Sequence, residues 1–243
     1  MRAFSALGAF VSAFLLVAFA PLFRTTTVLY DGAVGGLPTT QSMTYLTYPP
    51  FSSAATQTFV NGATILDTTT QQSDLAGYFA HPPSPIKLDR AAGFSVRFSV
   101  QVLTENHANN NRAGCSVIVL SNDKKGIELG FWQNHIWAQE GGSTNLFTHA
   151  EDATFDTTVG LTMYDLMIVG DTYTVTVGTT TVLTGPVRDY TAFVGAFNPY
   201  STPDLVFIGD DTTSAMASIK LAYAAVMTNE LALALFLPVI VKE

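Results

Sequence analysis

Between Phe94 and Val102 apolar and polar residues alternate without a break, with Phe94, Val96, Phe98, Val100 and Val102 on one side and Ser95, Arg97, Ser99 and Gln101 on the other. A period of two sends these sets to opposite faces of a strand, so the pattern predicts a sheet with one buried face. The stretch from Gly126 to Gln139 sorts equally well only if it folds back on itself. With Gln133 and Asn134 as the turn, Trp132 stands opposite His135 and Gly130 opposite Trp137. One face then carries Glu128, Gly130, Trp132, His135, Trp137 and Gln139, the other Ile127, Leu129, Phe131, Ile136 and Ala138. A slip of one residue would set Trp137 against Phe131 and mix the sets, which selects the even-numbered loop.

Further strands are expected at 26–30, 58–60 with 65–66, 93–103, 113–120, 162–169, 173–177, 180–184, 205–208 and 217–227. Asn61-Gly62, Gly170-Asp171 and Gly178-Thr179 supply the turns. The many threonines suit pleated, half-buried surfaces. No long amphipathic helix, internal repeat or Pro-rich linker interrupts the pattern. The residues from Glu105 to Arg112, rich in Asn and including His107, read as an exposed loop, and His149-Ala150-Glu151-Asp152 as a solvated one. Many short strands at this spacing indicate an all-β sandwich.

Composition narrows the class. Of 243 residues, 48% are hydrophobic, enough for one sizeable core and too many for intrinsic disorder. The formal net charge is -8 with only 11 Lys and Arg, so there is no basic footprint for nucleic acid, which is excluded as a partner. Residues 1–24 read as a signal peptide or N-terminal anchor: Arg2 precedes an apolar run from Leu7 to Phe19, and Ala18-Phe19-Ala20 resembles a cleavage site. Pro21 follows awkwardly and the apolar run continues to Phe23, so an uncleaved anchor is the alternative and the one route to membrane contact. Residues 25–228 form the sandwich and 229–243 a short apolar tail. That tail is too short to cross a bilayer alone and is expected to pack on the sandwich, or else to act as a degenerate sorting or interaction tail. The single cysteine, Cys115, excludes an internal disulfide and shares a face with Val117 and Val119, as a small core residue does. No Asn-x-Ser/Thr sequon occurs. A secreted or extracytoplasmic protein of the bacterial cell envelope is the simplest expectation.

Several motifs occur in a familiar order: Leu29-Tyr30-Asp31-Gly32, Gly36-Leu37-Pro38, Leu88-Asp89-Arg90 before Gly93-Phe94, Arg112-Ala113-Gly114, the Gly126–Trp132 stretch, and Gly209-Asp210-Asp211-Thr212-Thr213. In this order, from Leu29 to Val226, the chain resembles the concanavalin A-like lectin/glucanase superfamily, and within it the LamG-like bacterial "choice-of-anchor" exported domains. The resemblance implies an all-β jelly-roll sandwich of two antiparallel sheets, one of them concave. It implies no single activity, since lectins, glycosidases and adhesion modules share the fold. The C-terminal tail lacks the basic cluster of a sorting signal and departs from the anchored pattern.

The polar, aromatic face of the hairpin is the candidate site. Sugar C–H faces pack on Trp rings while Glu, Gln, His and Arg bond hydroxyls, so Trp132, Trp137, Glu128, His135 and Gln139, with Arg112 from the preceding loop, suit a carbohydrate or cell-surface glycan. The alternative for the same face is an outer surface covered by loops, with Gly130 accommodating the Trp137 ring and Arg112 compensating Glu128. Retaining glycoside hydrolysis needs two carboxyls about 5 Å apart. The Glu128 strand carries only one, with Asp123 in the preceding turn and Asp165 on another strand, so no catalytic residue is assigned. No cofactor is assigned; Ca2+ is the one the loops would admit, through Asp31, Asp210 or Asp211, whose simpler role is turn formation. A structural or adhesion module that binds another envelope protein is the remaining class.

Overall fold

The alternation in the sequence becomes two stacked antiparallel sheets. The computed structural model describes residues 22–81, 86–195 and 198–231; residues 1–21 of the expected targeting segment and the apolar tail after Leu231 lie outside them. In chain order the strands are β1 (Leu22–Asp31), β2 (Thr44–Tyr48), β3 (Thr56–Val60), β4 (Ala63–Asp67), β5 (Leu75–Ala80), β6 (Phe94–His107), β7 (Ser116–Leu120) and β8 (Lys125–Phe131). They continue with β9 (His135–Gln139), β10 (His149–Thr154), β11 (Thr162–Val169), β12 (Thr172–Val177), β13 (Thr180–Pro186), β14 (Arg188–Asp189), β15 (Leu205–Asp210) and β16 (Ala215–Leu231). One sheet has the order β13-β12-β11-β6-β16-β4-β3, with β1 sharing the edge of β16 beyond β4. The other runs β10-β9-β8-β7-β15-β5-β2, with β14 on β8. This is the expected all-β jelly-roll sandwich of two antiparallel sheets.

The core lies between the sheets. Phe94, Val96, Phe98, Val100 and Val102 of β6 all face it, and Phe98, Phe131 and Tyr164 meet across it with ring centroids 5.3 to 6.0 Å apart. Each such fully buried side chain contributes about 2 kcal/mol through removal of apolar area from water. On the solvent side of the same sheet Arg97 pairs with Asp165 at 2.7 Å. Cys115 is fully buried, and burial pushes its thiol well above the usual range. Asn61 and Gly62 adopt φ of 50° and 78°, the left-handed turn that joins β3 to β4.

Four strands escape the sequence pattern. β5 is buried along almost its whole length, so it shows no alternation. β2 and β10 are short edge strands, and β14 has two residues. His149 to Asp152, expected in a solvated loop, belong to β10 and pair with β9. The loop expected from Glu105 is shorter than its composition suggests, because β6 continues through His107.

Candidate functional site

The hairpin of β8 and β9 has the register that its side-chain sorting requires, with Leu129 opposite Ala138, Gly130 opposite Trp137 and Phe131 opposite Ile136. The Trp132 amide closes the turn onto the His135 carbonyl at 3.0 Å. Ile127, Leu129, Phe131, Ile136 and Ala138 enter the core. The opposite face is not open solvent. The β9–β10 and β14–β15 loops fold over it, and Phe147, Phe193 and Tyr200 pack with Tyr190, Ile118 and Phe207 into a second apolar cluster. Tyr190 also joins strands where the ladder is interrupted, between the part of β8 paired with β14 and the part paired with β9. Its hydroxyl accepts from the Glu128 amide at 3.1 Å and donates to the Gln139 carbonyl at 2.8 Å.

At one end of this face the candidate ligand surface of Trp132 and Trp137 gives way to the alternative, a covered face in which Gly130 accommodates the Trp137 ring. Trp137 is 0% exposed. Its ring lies on Gly130, where a Cβ would come within 2.6 Å of ring atoms, and its other side is stacked on His149 at 4.3 Å and 8°. Trp132 is half-buried, stacked on His107 at 4.2 Å and 11°, and its indole N–H donates to the Arg112 carbonyl at 2.8 Å. His135 and His149 both bond Asp152, at 2.7 and 2.6 Å. The covering rings come from the end of β6 and from β10, two segments read from the sequence as loops. Trp132, Trp137 and His135 therefore stand apart from the cavity that the remaining residues build.

That cavity, of about 350 Å³, gathers Arg112, Glu128, Gln139, Tyr200 and Asp211, with Tyr48, Phe147 and Phe193 on its walls. Glu128 is 2% exposed and accepts a 2.5 Å bond from the Tyr200 hydroxyl, which also lies 3.3 Å from an Asp211 carboxylate oxygen. Burial, and then the negative charge of Asp211, push the Glu128 carboxyl well above the usual carboxylate range, while Tyr200 and Arg112 pull the other way. Burial raises Asp211 too, against the Ser116 hydroxyl and Arg112. The Arg112 guanidinium does not grip Glu128 directly. One of its nitrogens donates to the Asn111 and Phe147 carbonyls at 2.6 and 2.9 Å, and the group lies over the Phe147 ring. Gln139 donates through Nε2 to the Asn111 carbonyl at 3.2 Å, but its Oε1 is buried with no hydrogen-bond partner. Such an atom carries a desolvation cost of roughly 1 to 3 kcal/mol until something bonds to it.

The acids expected to bind Ca2+ do not come together. Asp31 caps a short helical turn by accepting from the Ala33 amide at 2.9 Å. Asp210 accepts from the Thr68 hydroxyl at 2.7 Å and the Thr212 amide at 3.1 Å. Asp211 alone lines the cavity. Among the described residues no group of three or more His, Cys, Asp or Glu side chains is arranged to hold a metal ion.

Asp211 is instead the second carboxyl near Glu128 that the strand sequence lacks. Asp123 bonds Arg90 and Asp165 bonds Arg97, so neither reaches Glu128. The signal was present in the parity of β15: Phe207 points to the loop-covered face, and two steps of two lead past Gly209 to Asp211, while Asp210 falls on the other side. Tyr200 had no comparable signal, because it lies in a loop that period-two reasoning does not read.

No family model and no curated protein sequence matches the chain. Among solved structures it is similar to the carbohydrate esterase vb_24B_21 of the Shiga toxin-encoding bacteriophage phi24B, with a TM-score of 0.56 and 13% identity over 85% of this chain and 100% of that one. It is also similar to a protein of unknown function from Shewanella oneidensis MR-1, with a TM-score of 0.50 and 9% identity over 90% of this chain and 91% of that one. At these identities the likeness is one of fold.

Proposed function

We propose that the cavity between Arg112, Glu128, Gln139, Tyr200 and Asp211 binds carbohydrate and holds it without cleaving it. The observation that carries this reading is the combination of aromatic walls with the polar side chains of Arg112, Glu128, Gln139, Tyr200 and Asp211 in one cavity. Apolar walls with a few convergent polar groups suit a small polyhydroxylated ligand. The phage protein of the same fold is a carbohydrate esterase, but the proposal rests on the cavity and not on that likeness. Against cleavage stands the Tyr200 hydroxyl, which reaches both carboxyls and ties them into one hydrogen-bonded unit. Paired-carboxyl hydrolysis needs the two acids on either side of the scissile bond.

The wider expectation goes with this reading: an exported bacterial module of LamG-like "choice-of-anchor" type, facing the cell surface. A glycan array followed by calorimetry tests binding. A defined glycan should bind, and Gln139→Leu should weaken it by about tenfold, the effect of one lost buried hydrogen bond. An array silent for every glycan overturns the proposal.

A second reading, hydrolysis, is favoured by the Glu128 carboxyl, which burial and then the charge of Asp211 raise well above the usual carboxylate range, as in catalytic acids. Turnover of a polysaccharide that disappears in Glu128→Gln would replace the first reading with this one.

A further inference from the structure

We propose that His149 is a positioning residue whose proton clasps the Asn110–Arg112 loop to the sheet, so that Arg112 is held on the cavity wall while the imidazole is charged and released as pH rises. Both ring nitrogens of His149 face oxygens that accept: Nδ1 lies 2.8 Å from the Asn110 carbonyl and Nε2 2.6 Å from an Asp152 carboxyl oxygen. A neutral imidazole has one N–H and one lone pair, whereas an imidazolium has two N–H groups. Only the charged ring therefore donates at both places. The other holder for that proton, the Asp152 carboxyl, is of a type more acidic than imidazole by about two to three pH units, so the proton belongs on the ring.

The loop is fastened at consecutive residues. The Asn110 carbonyl meets the His149 ring, Asn111 Oδ1 accepts from the His149 amide at 2.9 Å, and the Arg112 carbonyl accepts from the Trp132 indole. The Asn111 carbonyl takes bonds from Gln139 Nε2 and Arg112 Nη1, two side chains that line the cavity. Of these ties the ring bond alone depends on a titrating proton. When the proton is lost, one N–H is left for two acceptors, and the carboxylate, the stronger of them, keeps it. The Nδ1 lone pair then points at the Asn110 carbonyl oxygen, which has to draw away. The charged and titratable groups around the ring are Asp152 on its own strand, His135 of β9 on the other Asp152 oxygen, Arg112 at the end of the loop, and His107 of β6, with its partner Glu105, stacked on Trp132. The ring lies flat on Trp137, whose face favours a positive charge. For a ligand the consequence rests on the carbohydrate reading above: it meets Arg112 in place only while His149 is charged.

The test is nitrogen NMR and amide hydrogen exchange on the whole chain without ligand, at about pH 5.5 and about pH 8.5, either side of the range in which histidines titrate. His149 should show two ring N–H groups at the lower pH and one at the higher. The amides of Arg112 and His149 donate to the Asn109 carbonyl and to Asn111 Oδ1. Corrected for the intrinsic pH dependence of exchange, both should lose protection by about fivefold at the higher pH, the scale of one lost hydrogen bond. Asp152→Asn separates a proton clasp from a merely structural tie. The new amide can donate to Nε2 of a neutral ring and still accept from His135, so Nδ1 keeps its hydrogen for Asn110 and protection should stay high at both pH values. His149→Phe keeps a flat ring on Trp137 but has no clasp, and should show the faster exchange at both. Asp152→Asn serves alone if that variant is unfolded. A single ring N–H at the lower pH overturns the inference, as does equal protection at the two pH values in the unaltered chain. A pH response that persists in folded His149→Phe or Asp152→Asn overturns it too. No ligand enters these measurements, so the carbohydrate reading stands or falls on the array.

Discussion

The two ends of one sheet face solve the same problem in opposite ways. At the end of Trp132 and Trp137, aromatic rings are met by His107 and His149 in close stacking, and the polar atoms of His135 and His149 are met by Asp152. At the end of Glu128 the loops arch over the sheet and leave a cavity, two carboxyls near one hydroxyl, and an amide oxygen with no partner. Both ends look alike in sequence, as polar and aromatic residues alternating with aliphatic ones. The difference lies in what comes down on top. Each end keeps one buried polar atom without a partner, Trp137 Nε1 and Gln139 Oε1, so what separates them is that stacked rings fill one end and a cavity lies at the other.

The comparison breaks most visibly at Trp137. Truncation to Ala should cost about 3 to 5 kcal/mol of stability, as large-to-small changes in a core do, measured by denaturant unfolding. A loss below about 1 kcal/mol would show that this end is open and that the two regions do not differ.

A pH series sharpens the other end. Glu128 keeps its proton in the fold at pH values where the unfolded chain, titrating near ~4.3, has lost it. The stability linked to this group is full below that pH and falls as pH rises toward the raised value in the folded protein. Asp211 and Asp210, both raised by burial, act in the same direction. The contribution of these groups to the unfolding free energy should therefore decline as pH rises above about 4, by up to about 1.4 kcal/mol per pH unit for each such group. Glu128→Gln should flatten the decline, and an unchanged slope would mean that Glu128 is ionised. The smallest effect is expected at Asp152, where replacement by Ala removes two hydrogen bonds to histidines near the surface. About 1 kcal/mol should be lost, with greater quenching of Trp132 by acrylamide and unchanged ligand affinity.

The architecture was legible where a strand puts apolar side chains on one face and polar ones on the other. β6, the β8–β9 hairpin and β11 declare themselves by period two. β5 does not, because both its faces are apolar, and β10 does not, because it is a short edge strand whose only apolar residues are alanines. The site was half legible. Glu128, Gln139 and Arg112 line the cavity as their strand and loop positions suggest. Alternation names the face a residue occupies but not whether another segment lies on it, so the sequence left Trp137 open to two readings, a ligand surface and a ring covered by loops, and the second holds. Asp210 and Asp211 were both read as loop acids, although adjacent residues at the end of an extended strand point apart.

β1 and β16 run side by side, with Leu22 opposite Leu231, in the sheet that does not bear the cavity. β16 starts at Ala215, close behind the Asp211 turn, and its length carries the chain roughly 50 Å before Leu231, at the ordinary rise of an extended strand. Any continuation at either end of the described residues departs from this one far corner. An attachment made there would be separated from the Asp211 end of the cavity by the length of β16.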